Sequence, residues 1–374
     1  MKEIEERIKW IRPKKATIPV ARLARSILRS RGIDTKSDST WLEPDYRSLG
    51  DPFDLPDMKQ AVEHLVATRK DNKKVAVYGD YDIDGLTATT LLAEALRACG
   101  FQVISYIPDR FVEGYGLHSQ ALLDLRSQGV DTVITVDCGI TAVEAIADAV
   151  AAGLNIIVTD HHSLAESEPV GAVALINPLR ANNTYPQTNL AGVGVAFNLV
   201  RALQTEFSDE LPPGQEKWLL DLVALGTICD IVPLVGENRI LAHFGLKVAR
   251  QSRRPGFQAL ADVSNAELGR INAKDFGFRF GPRLNAAGRL EHAQAGLDVL
   301  SSENYSQAFA SAQKLQNLNL ARRELTESIC EQARQQARAM SEVNFLVLAD
   351  ATWSHGVAGL VASRIAEEFS KPTI

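Results

Sequence analysis

The chain has 374 residues, 45% of them hydrophobic and 23% charged, with a formal net charge of −6. That length is enough for two domains with cores of their own, and the composition is that of a globular chain, not of a disordered or fibrous one. The negative balance excludes a molecule that is basic overall, so any contact with nucleic acid has to come from local patches. The four cysteines, Cys99, Cys138, Cys229 and Cys330, form no C-x-x-C pair. They read as reduced cytosolic thiols, not as a disulfide frame or a zinc site. The N-terminus is charged from its start, and no stretch approaches about 18 uninterrupted apolar residues. Neither a signal peptide nor a membrane span is expected, and the expected compartment is the cytoplasm.

Residues 1–33 carry ten Lys/Arg against three Glu. Within them 20–30 reads as a helix, with Arg22, Arg25 and Arg29 on one face and Leu23, Ala24, Ile27 and Leu28 largely on the other. Two readings stay open: the solvated face of a docking helix, or a rim that attracts a phosphate backbone. A connector follows, and 58–69 is a helix leading to the first strand. From there strands at 75–79, 102–107, 131–136 and 154–159 alternate with helices at 87–98, 118–128 and 141–152. Short strands separated by helices imply an α/β fold with a parallel sheet and right-handed crossovers. Residues 173–176 read as a further strand, ended by Asn177-Pro178.

Three of these strands end in chemistry. The first runs into Asp80, Asp82 and Asp84, which lie on one side if the backbone stays extended there. The third ends in Asp137-Cys138-Gly139 and the fourth in Asp160-His161-His162. Each alone could be a solvated polar turn. Together they sit at the sheet edge where α/β proteins bind ligands. Like charges so close repel one another, and a hard divalent cation with oxygen ligands would remove the conflict.

Further along, Gly192-Val193-Gly194 opens an apolar helix through Leu203. The glycine pair allows close approach to a phosphate or to another helix, and packing is the favoured reading. Residues 217–225 form an apolar helix that runs towards Asp230, which needs a partner if it is buried. The segment 278–289 sets Arg279, Arg283, Asn285 and Arg289 among small residues; arginine suits two-pronged phosphate contacts, and a structural cluster at a seam is the alternative. Residues 303–341 hold no Pro or Gly and read as one long helix bridging domains. Residues 345–349 start a second sheet, His355-Gly356-Val357 opens a helix through Phe369, and a strand begins at 371. The free N–H groups at the start of that helix favour an anion at His355.

Asp80-Tyr81-Asp82-Ile83-Asp84-Gly85 with Asp160-His161-His162 resembles the signature motifs of the DHH phosphoesterase superfamily. The segment Ile107-Pro108-Asp109-Arg110-Phe111-Val112-Glu113-Gly114-Tyr115-Gly116-Leu117 is similar to the RecJ branch, the single-strand-specific 5′→3′ DNA exonucleases. The resemblance runs from about Asp51 to the end. It implies a basic extension at 1–55 and a DHH domain at 56–302 with helices on both faces of its sheet. A connecting helix at 303–342 and the incomplete start of a second α/β domain at 343–374 would follow. In that second domain, Leu360, Val361 and Ile365 are expected to be poorly covered.

The resemblance implies that Asp230 is a metal ligand beside Asp80, Asp82, Asp84, Asp137 and His161. Four or five carboxylates and an imidazole suit two Mg²⁺ or Mn²⁺ ions; zinc would more often recruit cysteine. By family position Asp137 would bridge, Asp82 and Asp230 would favour one ion, and Asp84 and His161 the other. His162, Asp137 and Asp160 would form the catalytic group, with His162 facing the scissile phosphate or else holding a carboxylate in place. Arg110, Arg283, Asn285, Arg289 and His355 would line the DNA path. Tyr78 departs from the family, standing where many members carry a histidine ligand. The implied activity is hydrolysis of single-stranded DNA to mononucleotides in repair and recombination, with single-strand-binding protein and a helicase as partners. A phosphodiesterase of short oligonucleotides or cyclic dinucleotides, or an inactive scaffold, are the alternatives.

Overall fold

The structure is a computed structural model and describes residues 20–32, 41–114, 116–340 and 343–374. Most of the basic segment 1–33, and Tyr115 of the RecJ-like segment, lie outside the described residues. The chain divides into two compact units, 1–45 and 46–374. In the first, the expected helix is present as α1 (Val20–Ser30), with Arg22, Arg25 and Arg29 exposed.

The second unit begins with α2 (Met58–Lys70) and is built on a five-stranded sheet. Its strands are β1 (Lys74–Gly79), β2 (Gln102–Tyr106), β3 (Val130–Val136), β4 (Asn155–Thr159) and β5 (Ala174–Ile176), in the order β2-β1-β3-β4-β5. Every pairing is parallel. Alternation sorts the β1 side chains to two covered faces. Val75 and Val77 join the large core with α2 and α3 (Ile83–Ala98), while Ala76 and Tyr78 pack under α4 (Ser119–Ser127) and α5 (Val143–Ala151).

A helical layer extends the large core. It contains α6 (Gly192–Leu203), α7 (Leu220–Cys229), α8 (Gly236–Ala249) and α9 (Pro255–Ser264). A π-helical turn, Phe276–Phe280, leads into α10 (Gly281–Leu290), followed by α11 (Gln294–Ser301). Phe257, Phe276 and Phe280 meet edge-on or tilted at this turn, with ring centres 5.6–6.0 Å apart. The helix expected at 217–225 is a 3₁₀ turn (Gln215–Leu219) that becomes α7 and ends at Cys229, so Asp230 is its C-cap.

The long helix is α12 (Tyr305–Ala339), 35 residues, or about 52 Å at 1.5 Å per residue. Its first half buries Ala308, Ala312 and Leu315 in the main core. Its second half buries Ile329, Cys330, Ala333 and Ala337 in a separate core with α13 (His355–Phe369). The expected second sheet begins as one parallel bridge, Leu346 to Thr373, where the Leu346 amide donates to the Pro372 carbonyl and the Ile374 amide to the Leu346 carbonyl, both at 2.9 Å. One expectation is corrected here. Val361 and Ile365 are buried, not poorly covered, because the C-terminal half of α12 supplies an apolar face for them.

Candidate metal centre

The register of the sheet brings the strand ends level. Gly79 pairs with Val136, Val136 with Thr159 and Thr159 with Ile176. The next residue after each is Asp80, Asp137, Asp160 or Asn177, and all four are buried. The strand order reverses direction between β1 and β3, and in such sheets the crevice beyond the strand ends at that point is the ligand site. Tyr78 takes no part in this cluster. Its ring lies 5.0 Å from that of Tyr106 and its hydroxyl donates to the Gly116 carbonyl at 3.2 Å. Burial pushes the phenol above its ordinary value, so it stays neutral.

Beyond β1 the backbone does not stay extended. Asp82 caps α3: its Oδ1 accepts from the Asp84 amide at 2.9 Å and the Gly85 amide at 3.2 Å. The helix therefore starts four residues earlier than expected, at Ile83, and Asp84 lies in its first turn. A side chain at Gly85 would meet the Asp80 backbone at 2.4 Å, so the turn needs glycine. The Ile83 amide donates to Asn285 Oδ1 at 3.1 Å, which ties α10 to the start of α3.

Asp84 is buried, and the start of α6 receives it. Oδ2 accepts from the Gly192 amide at 2.6 Å and Oδ1 from the Val193 amide at 2.9 Å. The anion at this glycine pair is thus a carboxylate of the chain itself, held by free helix N–H groups. Gly192 is required for a second reason: a Cβ there would lie 2.6 Å from Asp137 Oδ1.

His161 and Asp137 face each other. His161 Nε2 is 3.1 Å from Asp137 Oδ1, and 3.8 Å from both Asp84 Oδ2 and Asp230 Oδ2. Both of the facing atoms are buried and lack a hydrogen-bond partner among the described residues. Asp137 adopts φ 60°, a left-handed conformation uncommon outside glycine. Asp160 is the orienting carboxylate. Its Oδ1 accepts from the His161 amide at 2.7 Å, the His162 amide at 3.1 Å and His162 Nδ1 at 2.8 Å. Its Oδ2 accepts from the Ile140 amide at 3.0 Å. Asn177 completes the turn by donating to the His162 carbonyl at 3.0 Å. Sequence reasoning saw Asn177 only as a strand end; a polar residue after a fourth level strand was the signal.

The electrostatics fit a cation. Burial, and then Asp82, push Asp80 up to about 7; burial pushes Asp230 up to about 6. Asp84 and Asp137 are driven well above the usual carboxylate range by burial and then by their acidic neighbours. Burial, then His162, hold His161 below its ordinary value, in the neutral form that ligates metals. His162 is raised to about 8, chiefly by its hydrogen bond to Asp160. For Asp160 itself burial acts upward, but the bonds from His162 and the Ile140 amide outweigh it and leave the group below its usual value. Neighbouring Cys138 and Cys229 turn their thiols to the carbonyls of Tyr78 and Phe276, so the donors that converge are oxygen and imidazole, which suit Mg²⁺ or Mn²⁺ over zinc.

Among the described residues, three groups converge closely enough to hold an ion: Asp80, Asp82 and Asp137; Asp137, His161 and His162; Asp84, His161 and Asp230. Asp137 and His161 each belong to two of them, and of the two only the carboxylate has a second donor atom with which to bridge. Asp230, carried to the site by the end of α7, is grouped with Asp84 and His161. After burial, Asp82 is the group that pushes Asp230 up, so it too is close by.

Of the basic residues, Arg110 lies near Asp80 and Arg289 near Asp82. Arg110 stacks over the Tyr81 ring at 4.6 Å and donates to the Gly288 carbonyl at 3.4 Å. Arg289 donates to the Gly356 carbonyl at 3.2 Å, and a Cβ at Gly356 would collide with the Arg289 carbonyl, so α13 docks tightly on the end of α10. His355 is exposed at that docked helix start. Burial and then Arg110 lower the Arg289 guanidinium, and burial and then Arg289 lower that of Arg322. Arg322 Nε is buried with no hydrogen-bond partner among the described residues, and nothing in its polar stretch of α12 singles it out in sequence. Arg283 instead turns to α12, donating to Gln316 Oε1 and to the Arg279 carbonyl, both at 2.7 Å.

Comparison with known proteins bears on this centre. The family model described as the DHH family, N-terminal domain, matches residues 74–227. The single-stranded-DNA-specific exonuclease RecJ of Bacillus subtilis is 38% identical over 354 residues, 94% of this chain and 44% of that protein. RecJ of Escherichia coli is 36% identical over 370 residues, 94% of this chain and 63% of that protein. The chain thus spans about half the length of the curated relatives it matches. A crystal structure of exonuclease RecJ bound to manganese superimposes with a TM-score of 0.76 at 35% identity, covering 85% of this chain and 79% of that one. RecJ from Thermus thermophilus in complex with Mn²⁺ gives 0.79 at 32% identity, covering 92% and 49%. The chain belongs to the RecJ family of DHH proteins.

Proposed function

We propose that the chain hydrolyses phosphodiester bonds of single-stranded DNA from the 5′ end, releasing mononucleotides. Asp80, Asp82, Asp84, Asp137, His161 and Asp230 would hold two Mg²⁺ or Mn²⁺ ions, with Asp137 shared between them. The observation that carries this reading is the facing pair Asp137 Oδ1 and His161 Nε2, buried and lacking hydrogen-bond partners inside a ring of carboxylates. Burying such groups is costly unless something pairs with them. Bound ions of this kind polarise phosphate oxygens and make water a nucleophile at neutral pH.

The chain's own residues supply the rest. Asp160 fixes the His162 ring through Nδ1 and favours its protonated form. His162 can then donate to negative charge that develops on a phosphate. Arg110 and Arg289, with Arg322 behind them, form a cationic flank for the phosphate backbone. His355 at the docked helix start extends it, while Arg283 and Asn285 support the path from α10. The chain would comprise a basic extension at 1–55, the DHH domain at 56–302, a connecting helix at 303–342 and the start of a second domain at 343–374. This reading puts the chain in the cytoplasm, with single-strand-binding protein and a helicase as candidate partners.

The test is cleavage of 5′-labelled single- and double-stranded DNA with Mg²⁺ or Mn²⁺, by the chain and by Asp137→Asn. The single strand should be degraded to mononucleotides, EDTA should abolish the reaction, and Asp137→Asn should lose several kcal/mol of transition-state stabilisation, about 10³-fold or more in rate. Parental turnover in Asp137→Asn would refute the two-ion reading. Cleavage of dinucleotides but not of longer strands would favour the short-oligonucleotide phosphodiesterase.

A further inference from the structure

We propose that Ile231 is a substrate-contacting residue, an apolar platform beside the metal centre against which the nucleoside next to the scissile phosphate packs. The inference rests on the hydrolysis proposed above and adds a residue to it.

Six described non-glycine residues have positive φ: Asp57, Asn72, Asp137, Asn265, Ser370 and Ile231. Five are small and polar, the kinds that tolerate the left-handed region. Ile231, at φ 63°, is β-branched, and there that conformation is a genuine outlier. It follows the last turn of α7, a place that helices commonly give to glycine. Packing does not offset the strain, because the residue is 86% exposed.

Nor does the strain serve to place Asp230. That residue is itself right-handed, at φ −75°, and its amide donates to the Gly226 carbonyl at 2.9 Å, so the helix end sets its position. Neither the folding of the turn nor the aim of the ligand asks for isoleucine. Residues held in such conformations cluster at ligand sites.

The location names the ligand. The Cα of Ile231 is about 3.8 Å from that of Asp230 across a trans peptide. The Asp230 carboxylate in turn reaches to 3.8 Å from His161 Nε2. A strand whose phosphate lay at the metal centre would pass the exposed isoleucine, the residue next to Asp230, with a sugar or base. An aliphatic side chain offers no hydrogen bond, so it cannot read base identity. It can cover the face of any base, the sequence-tolerant contact that a non-specific nuclease needs.

The experiment compares Ile231→Gly and Ile231→Leu with the parent, using the whole chain, Mn²⁺ and single-stranded oligonucleotides with either a normal or an abasic 5′-terminal nucleotide. Glycine relieves the backbone and removes the platform, and leucine keeps an apolar platform. We expect Ile231→Gly to leave Tm no lower and the Mn²⁺-dependent rise in Tm unchanged, while KM on the normal strand rises about 5–10-fold, the loss of a single-base contact. Ile231→Leu should keep KM near the parent's. The abasic strand should show the raised KM already in the parent, with nothing added by glycine. An unchanged KM in Ile231→Gly overturns the proposal. So does a loss of Mn²⁺ binding, which would make Ile231 a positioning residue for Asp230. If the parent binds Mn²⁺ but cleaves no DNA, the hydrolysis reading fails by itself. The platform is then decided by fluorescence anisotropy: weaker binding of the normal strand by Ile231→Gly supports it, and equal binding overturns it.

Discussion

Alanine at Gly192 adds one methyl group at the most crowded point of the centre. Its carbon would stand 2.6 Å from Asp137 Oδ1, 2.7 Å from Asp137 Cβ and 2.8 Å from Asp137 Cγ. Carbon atoms pack best at about 3.5–4.0 Å, so roughly 1 Å must be found. Asp137 has little freedom to yield, being buried and left-handed with its carboxylate against His161. Moving α6 instead pulls the Gly192 and Val193 amides off Asp84. Overpacking of this kind costs about 1–3 kcal/mol. Metal–ligand distances tolerate only about 0.2 Å, so a shift of half an ångström in either carboxylate breaks the site. We expect Gly192→Ala to bind Mn²⁺ about 10–100-fold more weakly by titration calorimetry, and to melt earlier. Gly194→Ala is the control two residues on. Its methyl would meet Leu190 Cβ at 3.5 Å, an ordinary contact, and it should stabilise the helix by roughly 0.5–1 kcal/mol. Parental Mn²⁺ affinity in Gly192→Ala, or equal effects of the two substitutions, would refute the reasoning.

Asn285→Ala removes the acceptor for the Ile83 amide at the start of α3, and should lower stability by about 1–3 kcal/mol in denaturant titrations. Because Asp82 and Asp84 flank that amide, Mn²⁺ affinity should fall with it, whereas a residue that only touched DNA would leave the metal unaffected. Ile365→Ala opens a cavity in the core between α12 and α13, at a cost of about 2–5 kcal/mol. Limited proteolysis should then release α13 first, with Mn²⁺ binding intact; loss of metal binding would mean that the two cores are coupled.

What the sequence determined by itself was local. The helices at 192–203 and 355–369 and the long helix match the structure because apolar periodicity acts within a few turns, and the long helix also holds no glycine or proline. The acidic ends of β1, β3 and β4 were legible because a charged residue straight after an apolar run stands out. The tertiary structure decided everything that depends on which strand lies beside which. The order β2-β1-β3-β4-β5 sets Asp80, Asp137, Asp160 and Asn177 side by side, a register that no single strand encodes. Only packing brings Asp230 to His161, the α6 amides to Asp84 and Asn285 to Ile83. These partners are 69 to 202 residues apart in the chain, and a contact over that separation exists only once the core has closed. The exposure of Ile231 and the burial of Arg322 are likewise properties of the closed fold, since neither residue differs in sequence from an ordinary neighbour.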